Sequence, residues 1–313
     1  MGTSVEIQAT RARWVVWIEA ARPKTLAAAV VPVGVGSALA AALGHFEAFP
    51  ASVCLIFALL IQVGTNFAND YFDFVKGADT AARVGPVRAV ASGEVSGAAM
   101  RRATGVVFAC AFGVGLLLIP YGGWWLLPLG VVCVACGFAY TGGPFPLAYN
   151  GLGEVFVLFF FGIVATGGTF YVQAGGFPVV AGVSTLGAAA ATGTGVGCLA
   201  CTILVVNNLR DRFTDAPVGK RTLAVRFGRR FSEIEFACFV LVAMAVPVTL
   251  VSAFAHAAPV LVWILLPFYA RLLIRLHRAE EPTDWGRLLA GSAGALLAYG
   301  ALTAAGLLWA SVA

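Results

Sequence analysis

Charge is the scarcest ingredient of this chain. Of its 313 residues, 11% are Asp, Glu, Lys or Arg, against roughly 25% in an average soluble domain. Side chains that few cannot clothe a water-soluble globule of this length. A soluble enzyme is excluded, and a disordered chain with it. Histidine is nearly absent, with three residues (His45, His256, His277) scattered singly and in no ligand spacing. The seven cysteines are odd in number and give no disulfide framework. Two Cys-x-x-Cys pairs, Cys133/Cys136 and Cys198/Cys201, lie inside apolar runs. A four-thiolate zinc centre there would place net negative charge in lipid, so they read as packing cysteines. The positive excess of +5 is too small to mark a nucleic-acid partner.

Apolar residues make up 60% of the chain, and mean hydropathy is +0.90. A spanning helix needs about 20 apolar residues. Nine runs qualify, at 25–43, 49–67, 103–119, 123–140, 154–173, 183–206, 235–255, 257–270 (with a basic extension) and 287–312. The expected fold is an all-α polytopic membrane protein of nine transmembrane helices. With the N-terminus inside, the inner segments are 1–24, 68–102, 141–153, 207–234 and 271–286. Together with Arg287 at the edge of the last, they hold all 20 Lys and Arg. Segregation of this kind follows the positive-inside rule. It predicts a cell-membrane protein with its inner loops cytoplasmic and its C-terminus outside.

The first 24 residues carry Arg11, Arg13, Glu19 and Arg22 and no apolar core, so they lack the pattern of a cleavable signal. Trp14, Trp17 and Ile18 share one face of a short helix, either lying in the interface or serving as a plain aromatic anchor. The 37 glycines suit close helix packing, within the chain or between copies in a homo-oligomer. Gly193-Thr-Gly-Val-Gly197 looks nucleotide-like but lies within an apolar run and follows no strand. Helix packing accounts for it.

Of 15 acidic residues, only Glu47 falls outside. The rest include two matched clusters, each continuing an apolar run on the inner side. The first is Asn66-Phe-Ala-Asn69-Asp70-Tyr-Phe-Asp73, with Lys76 and Asp79. The second is Asn207-Asn208-Leu-Arg210-Asp211-Arg-Phe-Thr-Asp215, with Lys220 and Arg221. Both contain Asn-x-x-x-Asp, four spans apart, a weak internal repeat that suggests two four-helix halves plus a ninth helix. At 100° per residue, Asn66, Asp70 and Asp73 fall within about 60°, and Asn207, Asp211 and Asp215 within about 80°. Two such oxygen-bearing faces repel unless cations intervene. Hard ligands of this type favour Mg²⁺ shared with a phosphate-bearing substrate. Lys76, Arg83, Arg88, Lys220 and Arg221 suit the remaining phosphate oxygens. A transporter with an inner acidic vestibule is the competing class. It would place ionisable groups near the bilayer midplane, where this chain has none.

With these clusters in view, the sequence resembles the UbiA superfamily of intramembrane prenyltransferases. Within it, several strings are similar to the branch that prenylates 1,4-dihydroxy-2-naphthoate in menaquinone synthesis. They are Arg22-Pro-Lys-Thr-Leu26, Asn69-Asp-Tyr-Phe-Asp73 with Gly77-Ala-Asp79, Gly85-Pro-Val-Arg88 with Ser92-Gly93, Tyr140-Thr-Gly-Gly-Pro144 with Gly151-Leu-Gly-Glu154, and Asn207-Asn-Leu-Arg-Asp211 with Asp215 and Gly219-Lys-Arg-Thr-Leu-Ala-Val225. One departure stands out: the further aspartate common in the first motif is Gly77 here, with Asp79 two residues on.

The resemblance implies a single prenyltransferase domain over 25–313, with motif loops at 66–102 and 207–234. It implies a polyprenyl diphosphate donor and a dihydroxynaphthoate acceptor. Mg²⁺ would be held by Asn66, Asp70, Asp73, Asp211 and Asp215, the four aspartates being catalytic, with Lys76, Arg88, Lys220 and Arg221 on the diphosphate. Asn69, Asp79, Asn207 and Asn208 lie beside the ligands without an assigned role. Arg22 and Lys24 bind the acceptor or anchor the inner face. Tyr140 faces the pocket or belongs to the aromatic belt, and Phe156, Phe159, Phe160 and Phe161 line an isoprenoid tunnel or meet lipid. The alternative acceptors within the superfamily are 4-hydroxybenzoate, homogentisate and phosphoribosyl diphosphate.

Overall fold

Small and apolar side chains at helical spacing, interrupted by Gly and Pro at the turns, give a bundle of membrane-length helices. The computed structural model describes residues 12–79, 85 and 88–312. Arg11, Arg83, Pro86 and Val87 of the sequence reading lie outside them. In chain order the helices are α1 (Arg13–Ala21), α2 (Ala27–Ala42), α3 (Ala48–Val75), α4 (Gly97–Leu116), α5 (Leu126–Ala139) and α6 (Gly153–Ala174). There follow α7 (Thr185–Asp215), α8 (Leu223–Phe254), α9 (Ala258–Arg278) and α10 (Pro282–Val312). A two-residue antiparallel hairpin, Val179–Val180 with Val183–Ser184, joins α6 to α7. Side-chain caps start three helices: Ser96 accepts from Ala99 N–H, Ser184 from Gly187 N–H and Thr222 from Val225 N–H.

Among the described residues, seven helices are long and apolar enough to cross a membrane. An eighth crossing is the pair Arg13–Thr25 and Ala27–Ala42, bent by 52°. The bend falls after Arg22, a non-glycine residue at φ 55°. The ninth expected crossing is not shown at full length. The run at 123–140 contracts to the 14 residues of α5, about 21 Å of helix against a hydrocarbon core of ~30 Å. Pro120 with Gly122 and Gly123 breaks the chain before it, and Tyr140 ends it at a Gly-Gly-Pro turn.

The central helix is α7. Its apolar stretch is 72% buried, against 22–44% for the other long spans. Glycine lets the neighbours come that close. A Cβ on Gly162, in the π-helical middle of α6, would lie 2.5 Å from the Gly193 carbonyl oxygen, and one on Gly197 would lie 2.7 Å from the Leu158 oxygen. The glycines at 193 and 197 therefore serve packing inside the chain. Gly162→Leu is expected to cost at least about 1–3 kcal/mol of stability through overpacking, read as a lower melting midpoint in detergent.

On the other side of the bundle, α3 packs against α4 and α5, while α1 lies across the inner end of α3. Trp17 meets Phe67 edge-on at 5.4 Å, whereas Trp14 and Ile18 point outward. The interfacial face thus keeps Trp14 and Ile18 and loses Trp17 to packing.

The motif segments differ from the expected loops. Helices α3 and α7 continue 8 and 9 residues past the predicted span ends at Phe67 and Val206, an extension of about 12–14 Å. Aromatic contacts such as Phe72 on Phe138, at 5.0 Å edge-on, keep an apolar side available beyond the membrane boundary. Both motifs are consequently carried on rigid helix ends.

Candidate functional site

Between α2–α7 lies a cavity of about 710 Å³. Along α3 it touches Cys54, Phe57, Ile61, Thr65, Asn69 and Asp70 among others, a stripe at three- and four-residue spacing. From Cys54 to Asp70 this is about 24 Å of helix, most of a bilayer's depth. The inner end is polar, with Arg22, Asn66, Asp70, Arg88, Asn207 and Arg210. The body is greasy, with Phe112, Leu127, Val164 and Val172 among its walls. Phe156, Phe160 and Phe161 also line it, whereas Phe159 is exposed on the outer surface.

Each motif residue is engaged by a neighbour. Asn66 donates its amide to the Ala21 carbonyl at 2.9 Å and to Thr25 Oγ1 at 3.2 Å, tying α3 to the bend after α1. Asp70 accepts the backbone N–H groups of Ala89 and Val90, one on each oxygen, at 3.2 and 3.1 Å. It therefore clamps the segment that brings Arg88 to the cavity. Asn69 accepts from Thr141 Oγ1 at 2.8 Å. Asp79 faces Arg88 at 3.7 Å. On the second motif, Asp211 is gripped by Arg210, Asn208 donates to Glu154 at 2.9 Å, and Lys220 pairs with Asp215 at 3.3 Å.

The two motifs meet around Tyr149, which the sequence reading did not single out. Its hydroxyl donates to Asp73 Oδ1 at 2.9 Å. Lys76 and Lys220 place their ammonium groups 4.5 and 5.7 Å from its ring centroid. Burial, then the negative charges of Asp73, Asp215 and Asp79, push its phenol well above the usual tyrosine range. One hydroxyl thus feels carboxylates from both motifs and stays protonated, a fixed donor to Asp73. The signal that marks it in sequence is its place in 141–153, the one inner segment without Lys or Arg. Tyr149→Phe is expected to lower turnover about tenfold and stability by about 1–3 kcal/mol, checked by product assay and melting in parallel.

The expected residues therefore divide. Arg22, Lys24, Asn66, Asn69, Asp70, Arg88, Tyr140 and Asn207 border the cavity. Asp73, Asp211 and Asp215 do not line it; Asp211 is joined to it through Arg210, and Asp73 and Asp215 bond to Tyr149 and Lys220. Asn208 turns toward Glu154. Lys76 and Arg221 instead line a separate inner hollow of about 580 Å³, where Lys76 also donates to the Thr141 carbonyl at 2.5 Å. Burial lowers the Lys76 ammonium from its ordinary value, an effect that Asp73 opposes. Arg210, left unassigned from sequence, stands at the cavity's polar end.

The donor set suits Mg²⁺: carboxylate and carboxamide oxygens, with no imidazole or thiolate nearby. The Asp215 Oδ2 is buried with no hydrogen-bond partner among the described residues. As they stand, no three His, Cys, Asp or Glu side chains among the described residues are grouped closely enough to hold one ion. The four motif-adjacent cysteines at 133, 136, 198 and 201 are all thiols, and Cys201 donates to the Glu154 carbonyl at 3.3 Å.

A model of the UbiA prenyltransferase family matches residues 29–293. The 1,4-dihydroxy-2-naphthoate octaprenyltransferase of Mycobacterium tuberculosis is 42% identical over 68% of this chain and 70% of its own length. The same-named protein of Mycobacterium leprae is 36% identical over 93% of this chain and 97% of its own. In fold, a UbiA homolog from Archaeoglobus fulgidus bound to DMAPP and Mg²⁺ superposes with a TM-score of 0.56 at 16% identity, covering 92% of this chain and 98% of that one. With an all-α membrane bundle carrying two acidic helix ends at the head of an apolar cavity, and a match across most of its length, the chain belongs to the UbiA prenyltransferase family.

Proposed function

We propose that this protein transfers a polyprenyl group from a polyprenyl diphosphate to 1,4-dihydroxy-2-naphthoate, giving demethylmenaquinol (the reduced form of demethylmenaquinone), CO₂ and diphosphate. The observation that carries this is the cavity's polarity. A single hollow about 24 Å long along α3, with cations and carboxylates at one end and apolar walls behind them, fits an amphiphile with a charged head and a long isoprenoid tail. The same-named relatives supply the acceptor.

Arg88 and Arg210 hold the diphosphate at the polar end. Arg22 and Lys24, across the same mouth, take the acceptor carboxylate, and Tyr140 borders the ring. Asn66, Asp70, Asp73, Asp211 and Asp215 would hold Mg²⁺, which would supply charge stabilisation to the departing diphosphate. As the allylic C–O bond breaks, its electron pair leaves with the diphosphate. The ring carbon bearing the carboxylate attacks the allylic carbon, and loss of CO₂ returns the bonding pair to the ring. The rings of Phe156 and Phe160, stacked at 6.0 Å, border the space where positive charge develops. The apolar wall keeps water from that carbon.

Product formation in liposomes from a polyprenyl diphosphate and the naphthoate, with and without Mg²⁺ and with 4-hydroxybenzoate alongside, tests this reading. Magnesium-dependent naphthoate product supports it. Turnover with another acceptor alone rejects the substrate and keeps the family chemistry.

The nine-crossing topology, with the N-terminus and polar end cytoplasmic and the C-terminus outside, belongs to the same proposal. All 20 Lys and Arg then lie on one side, and α5 crosses with help from the helical turn Ile119–Gly122 and the Trp124-Trp125 pair before it. Reporter fusions at the C-terminus check it; a cytoplasmic C-terminus removes one crossing.

A further inference from the structure

The second motif is closed by its own arginine. Arg210 is buried at 7% exposure and borders the cavity. Its Nε donates to Asp211 Oδ1 and its Nη2 to Asp211 Oδ2, both at 2.6 Å. The same Nη2 reaches Asn207 Oδ1 at 2.7 Å. One guanidinium therefore occupies both carboxylate oxygens and the amide oxygen that the motif would offer to a metal. A divalent cation approaching this set meets a fixed positive charge at contact distance, which it must displace or share the oxygens with. On the first motif, Asp70 is met by the backbone N–H groups of Ala89 and Val90, which carry no net charge.

We propose that Arg210 is a gate on the metal site: without a diphosphate it holds Asp211 and Asn207, and a diphosphate in the cavity draws it away and opens those oxygens to the metal. The proposal rests on the metal–diphosphate reading given above and adds an order of assembly to it. A bidentate guanidinium–carboxylate pair and a guanidinium–diphosphate pair are chemically equivalent forks. The exchange is near even for the arginine, but it replaces the guanidinium on a buried carboxylate with the metal. Diphosphate and metal then bind cooperatively, and linkage makes the effect reciprocal. Metal alone is held weakly, so the carboxylates are not trapped as a metal complex that lacks substrate. Arg210 acts here as a positioning residue for Asp211 as well as a ligand of the leaving group.

The test is Mn²⁺ binding to the full chain in detergent, by electron paramagnetic resonance, with and without inorganic diphosphate. Wild type, Arg210→Gln and Arg210→Lys are compared, with Mn²⁺-dependent melting as the second readout. Wild type is expected to bind Mn²⁺ about tenfold or more tightly when diphosphate is present, within the usual range of coupling. Arg210→Gln is expected to bind Mn²⁺ without diphosphate about tenfold more tightly than wild type and to lose most of the coupling. It should also gain melting temperature from Mn²⁺ alone. Arg210→Lys, which keeps the charge without the fork, should fall between them. Unchanged Mn²⁺ affinity in Arg210→Gln, beside intact diphosphate-dependent binding in wild type, overturns the gate and leaves the metal site standing. Absence of Mn²⁺ binding in every arm overturns both.

Discussion

Asp211→Asn is expected to lower turnover by on the order of 10²–10³-fold while leaving a folded, membrane-inserted protein. The carboxylate meets Arg210 with two 2.6 Å contacts and is joined through it to the cavity's polar end. Its neutral isostere keeps the shape and one acceptor oxygen and loses the charge that a departing diphosphate's cation needs. Asp70→Asn should show a mixed effect. The amide can accept only one of the two N–H groups of Ala89 and Val90 and turns an NH₂ toward the other. A stability loss of about 1–3 kcal/mol is expected beside the loss of turnover. At Asp211 the amide likewise turns its NH₂ toward one of the two Arg210 donors and leaves a buried guanidinium without its counter-charge, so product assays run with melting curves should show a fall in both activity and midpoint at each position. Full activity of Asp211→Asn at limiting Mg²⁺ would remove the second motif from the metal site.

The second large effect concerns the tail. Gly168 borders the cavity, and a Cβ built there meets nothing within 4 Å. It lies 14 residues along α6 from Glu154, about 21 Å from the inner end. A side chain at this position enters open space at the far end of the hollow. Gly168→Phe is expected to leave the short-chain geranyl diphosphate as a good donor. Turnover with long polyprenyl diphosphates should fall about 100-fold relative to it, as a filled pocket rejects what exceeds its length. Competition between short and long donors in one liposome assay reads the ratio directly. Equal loss for both would mean that the tail leaves the cavity before reaching Gly168.

Class and the two acidic clusters were legible in the chain itself. Hydrocarbon leaves a segment little choice: a run of about 20 apolar residues must satisfy its backbone internally, so helices follow from composition. The Asn-x-x-x-Asp spacing placed its oxygens on one helix face because α3 and α7 do remain helical through Asp73 and Asp215.

Tertiary packing decided the rest. How far the helices run past the apolar segments was set by packing: they go on for two turns, with aromatic contacts such as Phe72 on Phe138 outside the apolar run. Tyr149 became the meeting point of the motifs only when α5, α6 and both helix ends were brought together. Lys76 and Arg221, neighbours of the motifs in sequence, went to a different hollow. Arg210, which spacing alone treats as one more inner charge, turned back onto Asp211 and Asn207. Sequence periodicity can say which face of a helix a residue occupies. Which partner fills the space opposite that face depends on contacts between segments tens of residues apart, and those exist only in the folded bundle.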